Sequence, residues 1–257
     1  MKLPGQSETF LTHIAERART DATVGAQFPD LLATLDRVLR KADSAPIEVP
    51  VDDNATKTVS TYRVGGFALR FIIAKFYLHD PDSTRYLPKM LDEIDKGRRP
   101  WSLTFNLLQM MHAPVSLVWF TTDAASGVSA ARGEAIAREA VAARLGNAMN
   151  FPFPEINRAL GMKDLGDAFR KDVVTSLPVL FVVGTEDGIT PVAQTEAIRQ
   201  GFSRPLLLRV ENAGHNSVIR PPEVARAIRA FLSDQPVPAT ARLDPIGFVP
   251  LITPAAR

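Results

Sequence analysis

Apolar residues recur at helical spacing along most of the chain before residue 112. Phe10, Leu11, Ile14 and Ala18 share one face of a helix predicted over 7–20. Phe28, Leu31, Leu32, Leu35, Val38 and Leu39 mark a stronger one over 28–41. Pro29 stands near its start, where a missing N–H costs little. Ile47–Val51 and Thr56–Val64 flank the polar Asp52-Asp53-Asn54, the pattern of a β-hairpin. Helical spacing resumes at 66–79, 83–96 and 101–111, broken by Asp80-Pro81-Asp82 and by Gly97 with Pro100. Val115–Phe120 reads as a short β-prone run, and Thr121–Gly127 as a loop of small residues. An Ala-rich helix over 130–145 is stopped by Gly146. Irregular Asn150–Pro154 follows, then a short helix within 155–171.

The character changes at residue 177. Leu177–Val183 is continuously apolar and β-branched, as in a strand buried on both faces. Residues 192–202 fit a crossover helix, with Thr190 as N-cap and Pro191 at its first position. Leu206–Glu211 is a second strand, and Pro221-Pro222 opens a last helix carrying Val224, Ile228, Phe231 and Leu232. Such a βαβα unit builds a parallel sheet with helices on its faces. The fold class is therefore α/β. It divides into a mostly helical region over 1–172, with the hairpin near 47–64, an α/β unit over 173–235 and an extended tail over 236–257.

Composition narrows the function. The chain has 257 residues, enough for a sizeable core, with 46% hydrophobic and 23% charged residues. A net charge of +2 gives no reason to expect nucleic acid or a membrane surface as partner. With 0 cysteines, disulfides and thiolate chemistry are excluded. His13, His79, His112 and His215 lie far apart, so no metal site is expected. No organic cofactor is implied either. No signal-peptide or membrane-spanning pattern is present, and the location is left unassigned.

In an open parallel sheet, ligands bind beyond the C-terminal ends of the strands. The first strand runs into Gly184-Thr185-Glu186-Asp187-Gly188-Ile189-Thr190-Pro191, and the second into Glu211-Asn212-Ala213-Gly214-His215-Asn216. Asp187 and His215 are thus placed on adjacent loops. A carboxylate beside an imidazole fixes its tautomer and stabilises the imidazolium it forms on taking a proton. Asp-Gly alone is a common turn pair, but the strand before it and His215 downstream favour the relay. Glu186 is expected to be a solvent-exposed neighbour.

Strand, G-T-E-D-G-I-T-P, helix, strand, E-N-A-G-H-N resembles the last two strands of α/β-hydrolases, with Asp187 as triad acid and His215 as triad histidine. More narrowly, the chain is similar to proline iminopeptidase-like and tripeptidyl-aminopeptidase-like serine peptidases. F-P-D-L-L-A-T-L-D-R-V-L, the hairpin, L-P-K-M-L-D-E-I-D-K-G and the stretch from D-A-A-S-G-V-S to D-L-G-D-A-F-R look like parts of their helical lid. Trp101, Trp119 and the Phe-rich stretch at 67–76 are then core or lid packing. Relatives often carry cysteines near the positions of Ala124 and Asn157; both are absent here. The resemblance implies that acidic lid residues hold a substrate's α-amino group. Asp123, with Ser126, is the candidate for that role; the alternative for Asp123 is a turn residue capping a backbone N–H.

The family's nucleophile stands in a G-x-S-x-G elbow, and no such motif occurs. Gly5-Gln6-Ser7-Glu8-Thr9 and Gly127-Val128-Ser129-Ala130-Ala131 each lack the second glycine. The expectation is the C-terminal portion of an α/β-hydrolase, lid plus last two core strands, with the N-terminal core strands missing. Its parent would hydrolyse peptides or small amides and esters. The chain alone is expected to show little or no activity. The alternative is an inactive remnant or binding module that pairs with a separately encoded N-terminal half. A sheet of two strands would expose an edge, so self-association is also expected.

Overall fold

The computed structural model describes residues 1–112 and 117–251, apart from the side chains of Trp119 and Arg158. The helical region opens with α1 (Pro4–Thr20) and α2 (Leu31–Ser44). The Asp30 side chain caps α2 by accepting the Ala33 N–H at 2.9 Å. Leu31, Leu35, Val38, Leu39 and Ala42 turn inward from it; each large aliphatic chain so buried contributes roughly 1.5–3 kcal/mol. The hairpin forms as expected, with β1 (Ile47–Asp53) antiparallel to β2 (Thr58–Val64). Next come α3 (Gly66–Ile72), a π-helical turn over Ile73–Tyr77, α4 (Pro81–Thr84), α5 (Leu87–Asp95) and α6 (Trp101–His112). All of these elements except α4 contribute to the larger hydrophobic core, which Leu145, Ile189 and Phe248 complete from later in the chain.

One prediction in this region fails. Leu117–Ser126 is a helix, α7, not the end of a strand followed by a loop. Val115 and Ser116 lie outside the described residues. A short apolar run has no period that separates strand from helix, and Thr121–Ser126 simply continues the helix. The chain then forms α8 (Ala130–Ala142), capped by the Ser129 hydroxyl, and α9 (Glu155–Leu160).

The α/β unit has β3 (Thr175–Gly184), α10 (Val192–Ile198), β4 (Phe202–Glu211) and α11 (Pro222–Leu232). Pro191, not Thr190, stands at the N-cap of α10, and its side chain makes no cap bond. The Thr190 hydroxyl is turned to Asp187 instead. Within the tail, Thr240–Arg242 forms a further strand, β5. The sheet thus has three parallel strands in the order β3-β4-β5, one more than the sequence pattern indicates. Val224 and Ala227 of α11 pack with Leu208, Val210 and Ala241 in a second, smaller core. The far edge of β3 pairs with nothing among the described residues. Val174, just before it, and Leu177, near its start, are 87% and 67% exposed.

Candidate active site

Both loops expected to carry chemistry leave the same end of the sheet and are stitched together there. The Glu186 N–H donates to the Ala213 carbonyl at 2.8 Å, and the Asn212 N–H to Thr185 Oγ1 at 3.0 Å. Asn212 turns the chain with φ of 60°, a conformation asparagine tolerates. Gly188 admits no side chain: a Cβ would sit 2.4 Å from a Phe10 ring carbon. Under these constraints Asp187 and His215 meet. Nδ1 of His215 lies 2.9 Å from Asp187 Oδ2.

Asp187 is 5% exposed and fully engaged. Oδ1 accepts the N–H groups of Ile189 at 2.7 Å and Thr190 at 2.9 Å; Oδ2 accepts the Thr190 hydroxyl at 2.6 Å. Burial pushes this carboxyl up, but the hydrogen bonds from His215, Thr190 and Ile189 outweigh it and hold the group below its ordinary value. The bond to Asp187 in turn raises His215 above the usual imidazole value, against partial burial. With Nδ1 bound, Nε2 is left without a partner among the described residues. That is the nitrogen a general base needs free.

His215 lines a cavity of about 450 Å³ together with His79, Lys2, Lys75, Asp123 and Gln194. No described residue lining it is a serine, threonine or cysteine. Burial, with Lys75 and His215 nearby, lowers His79 to about 4, so it is neutral there. The His79 and His215 rings meet edge to face, with centroids 5.9 Å apart. Burial lowers Lys2, while Asp187 and Asp123 partly offset that. A larger cavity of about 590 Å³, lined by Phe76, Tyr86, Trp101 and Phe105, contains neither Asp187 nor His215.

The other candidates separate. Asp123, on α7, shares the pocket with His215. Ser126 does not line it, and its hydroxyl donates to the Thr122 carbonyl one helical turn back at 2.8 Å. Ser7 is buried in α1, and Ser129 caps α8, accepting the Arg132 N–H at 3.3 Å. Glu186 is not solvent-exposed as expected; it is 8% exposed and meets Arg17 at 2.5 Å and His13 at 2.9 Å. Arg17 also donates to the Ile246 carbonyl at 3.1 Å, so Glu186 anchors the loop to α1 and the C-terminal stretch. A buried carboxylate needs such partners. Asp80 has no signature in the sequence beyond a turn, yet it binds the residues after His215.

Among the described residues, no group of His, Asp and Glu side chains is arranged to hold a metal. No curated protein matches the chain. Residues 163–243, which contain β3, β4, β5, Asp187 and His215, match the family model described as TAP-like protein, a similarity that supports an α/β-hydrolase family for that segment.

Proposed function

We propose that Asp187 and His215 are the acid and general base of a serine-hydrolase relay that acts on peptides or small amides and esters in the manner of an aminopeptidase. One observation carries the reading: His215 lines a pocket and is held through Nδ1 by a buried carboxylate, with Nε2 unpartnered among the described residues. In this chemistry His215 takes the proton of an attacking hydroxyl as that oxygen bonds to the substrate carbonyl, then returns it to the leaving amine or alcohol. Asp187 orients the ring and stabilises the imidazolium. Asp123 in the same pocket supports a contact to a substrate's free amino group. The attacking hydroxyl comes from a segment outside the described pocket lining, one that adds to the β3 edge left unpaired among the described residues. Residues 1–172 then act as the lid.

The test uses the histidine itself. An aminoacyl chloromethyl ketone with a free amino group alkylates His215 Nε2 with loss of chloride. The expected product is a single adduct at His215, formed more slowly in Asp123→Asn. Equal labelling of His112 or His13, or none at His215, rejects the relay. A fluorophosphonate is expected to leave the chain unlabelled; stoichiometric labelling of one of its serines rejects the external hydroxyl.

The β3 edge, unpaired among the described residues, also supports a second reading, a non-catalytic module that pairs through that edge with a separately encoded half or with its own copy. An edge-pairing protein self-associates at micromolar concentration and does not react with the chloromethyl ketone.

A further inference from the structure

We propose that Leu78-His79-Asp80 is the seat that registers His215 against Asp187, with Asp80 as a positioning residue. The inference rests on the relay reading above and concerns how its geometry is held.

Each relay loop touches this one segment. The Leu78 carbonyl accepts the N–H of Gly188, next to Asp187, at 2.9 Å. The His79 carbonyl accepts the N–H of His215 at 2.6 Å. Asp80 then takes the two residues that follow. Its Oδ2 accepts from the backbone N of Asn216 at 3.0 Å and from Asn216 Nδ2 at 2.8 Å. Its Oδ1 accepts from the backbone N of Ser217 at 2.9 Å and from Ser217 Oγ at 2.6 Å. With its proton committed to Asp80, the Ser217 hydroxyl accepts the Gly214 N–H at 2.7 Å. The turn from Gly214 to Ser217 therefore hangs on one carboxylate that is 5% exposed. Gly214 makes the approach possible, since a Cβ there would stand 2.4 Å from the His79 carbonyl oxygen and 2.5 Å from Asp80 Cα.

Every partner of the Asp80 carboxylate is a donor. An amide in its place sets its own N–H groups against N–H or O–H groups on one side, so asparagine is a sharp probe despite its matching shape. Charge must be separated from geometry. The charged and titratable groups that act on His215 are Asp187, Lys2 and Asp80, and His79 faces it as a ring neighbour. Removing the Asp80 charge alone shifts the titration of His215. Ser217→Ala keeps that charge and removes only a bond.

The experiment is NMR on the purified chain, following the His215 Nδ1 proton, the His215 titration and the exchange of the Asn216 and Ser217 amides. In Asp80→Asn these amides exchange at least about tenfold faster, and the Nδ1 proton signal, downfield and sharp in the natural chain, is lost. Ser217→Ala shows the same changes in weaker form, including a lower His215 midpoint. Asp187→Asn loses the Nδ1 signal while the two amides stay protected. Unchanged amides and an unchanged Nδ1 signal in folded Asp80→Asn overturn the seat. If that variant does not fold, Ser217→Ala decides by the same readouts. The relay fails separately: a chain that gives these NMR changes but no His215 adduct with the chloromethyl ketone keeps the seat and loses the relay.

Discussion

Asp187 and Asp53 each head an Asp-x-x-Thr turn, and each holds a histidine. At Asp187, Oδ1 takes the amides of Ile189 and Thr190, and Oδ2 takes the Thr190 hydroxyl. At Asp53, Oδ1 takes the amide of Ala55 at 2.9 Å and that of Thr56 at 3.4 Å, and Oδ2 takes the Thr56 hydroxyl at 2.7 Å. The histidines differ in which ring nitrogen the carboxylate holds. His215 reaches its carboxylate through Nδ1. His112 reaches Asp53 through Nε2, at 3.0 Å. Binding through Nδ1 leaves the outer nitrogen for a substrate, whereas binding through Nε2 leaves only the nitrogen beside the backbone. The surroundings differ too. Asp187 follows a parallel strand at a pocket, and Asp53 ends a hairpin strand. The turn is thus a general device for orienting an imidazole. The proposed relay differs from the Asp53 turn in which ring nitrogen is held and in what lies beyond it.

The largest effect that separates the two turns is on reactivity. Asp187→Asn lets the new amide donate to Nδ1 and places the ring proton on Nε2. In a serine-protease triad that wrong tautomer costs about 10⁴-fold in turnover. On the proposed relay the same order of loss is expected for hydrolysis, and the chloromethyl ketone adduct at Nε2 is lost. Asp53→Asn is expected to change neither readout, while the amides of Ala55 and Thr56 exchange faster. A matching loss of activity in Asp53→Asn breaks the distinction.

Acid gives the next largest effect, and it acts through His79, the ring neighbour of His215. Burial holds His79 at about 4 against an ordinary 6.5, so the folded chain takes up this proton less readily than the unfolded chain. The stability carried by neutral His79 is full above pH 6.5 and drains as pH falls toward 4, by about 3 kcal/mol in all. His215 runs the other way. Its value is raised, so its contribution is full below pH 6.5 and is lost as pH rises through the folded value. Urea unfolding of His79→Gln against the natural chain, at pH 7 and pH 4, isolates the first term. An equal fall in both chains removes it.

How much of this was legible depends on how local each signal is. The meeting of Asp187 and His215 was legible because each follows an apolar strand within a few residues. The hairpin was legible from its polar turn. Thr240–Arg242 was not: three residues are too few for a period, and prolines surround them. Nor was Asp80, whose partners lie 136 and 137 positions away. Glu186 was misjudged because its partners, His13 and Arg17, come from α1. Long-range polar contacts leave no periodic trace, and they are what complete the site.

The smallest effect tests the turns at their shared threonine. Thr190 Oγ1 donates to Asp187 and lies 3.2 Å from His215 Nδ1, so its lone pair takes a share of the imidazole proton. Thr56 Oγ1 donates to Asp53 and pairs at 2.8 Å with the Thr58 hydroxyl, not with a histidine. Replacing either threonine by valine removes a hydroxyl worth about 1 kcal/mol. At Thr56 the whole loss is expected in stability, read as a lower urea midpoint with His215 reactivity unchanged. At Thr190 the ring loses one of its two orienting contacts, so alkylation of His215 slows by about fivefold, the rate equivalent of the same energy. Equal stability losses with equal reactivity would mean that Thr190 serves the turn alone, and that the Asp187 carboxylate by itself sets the ring.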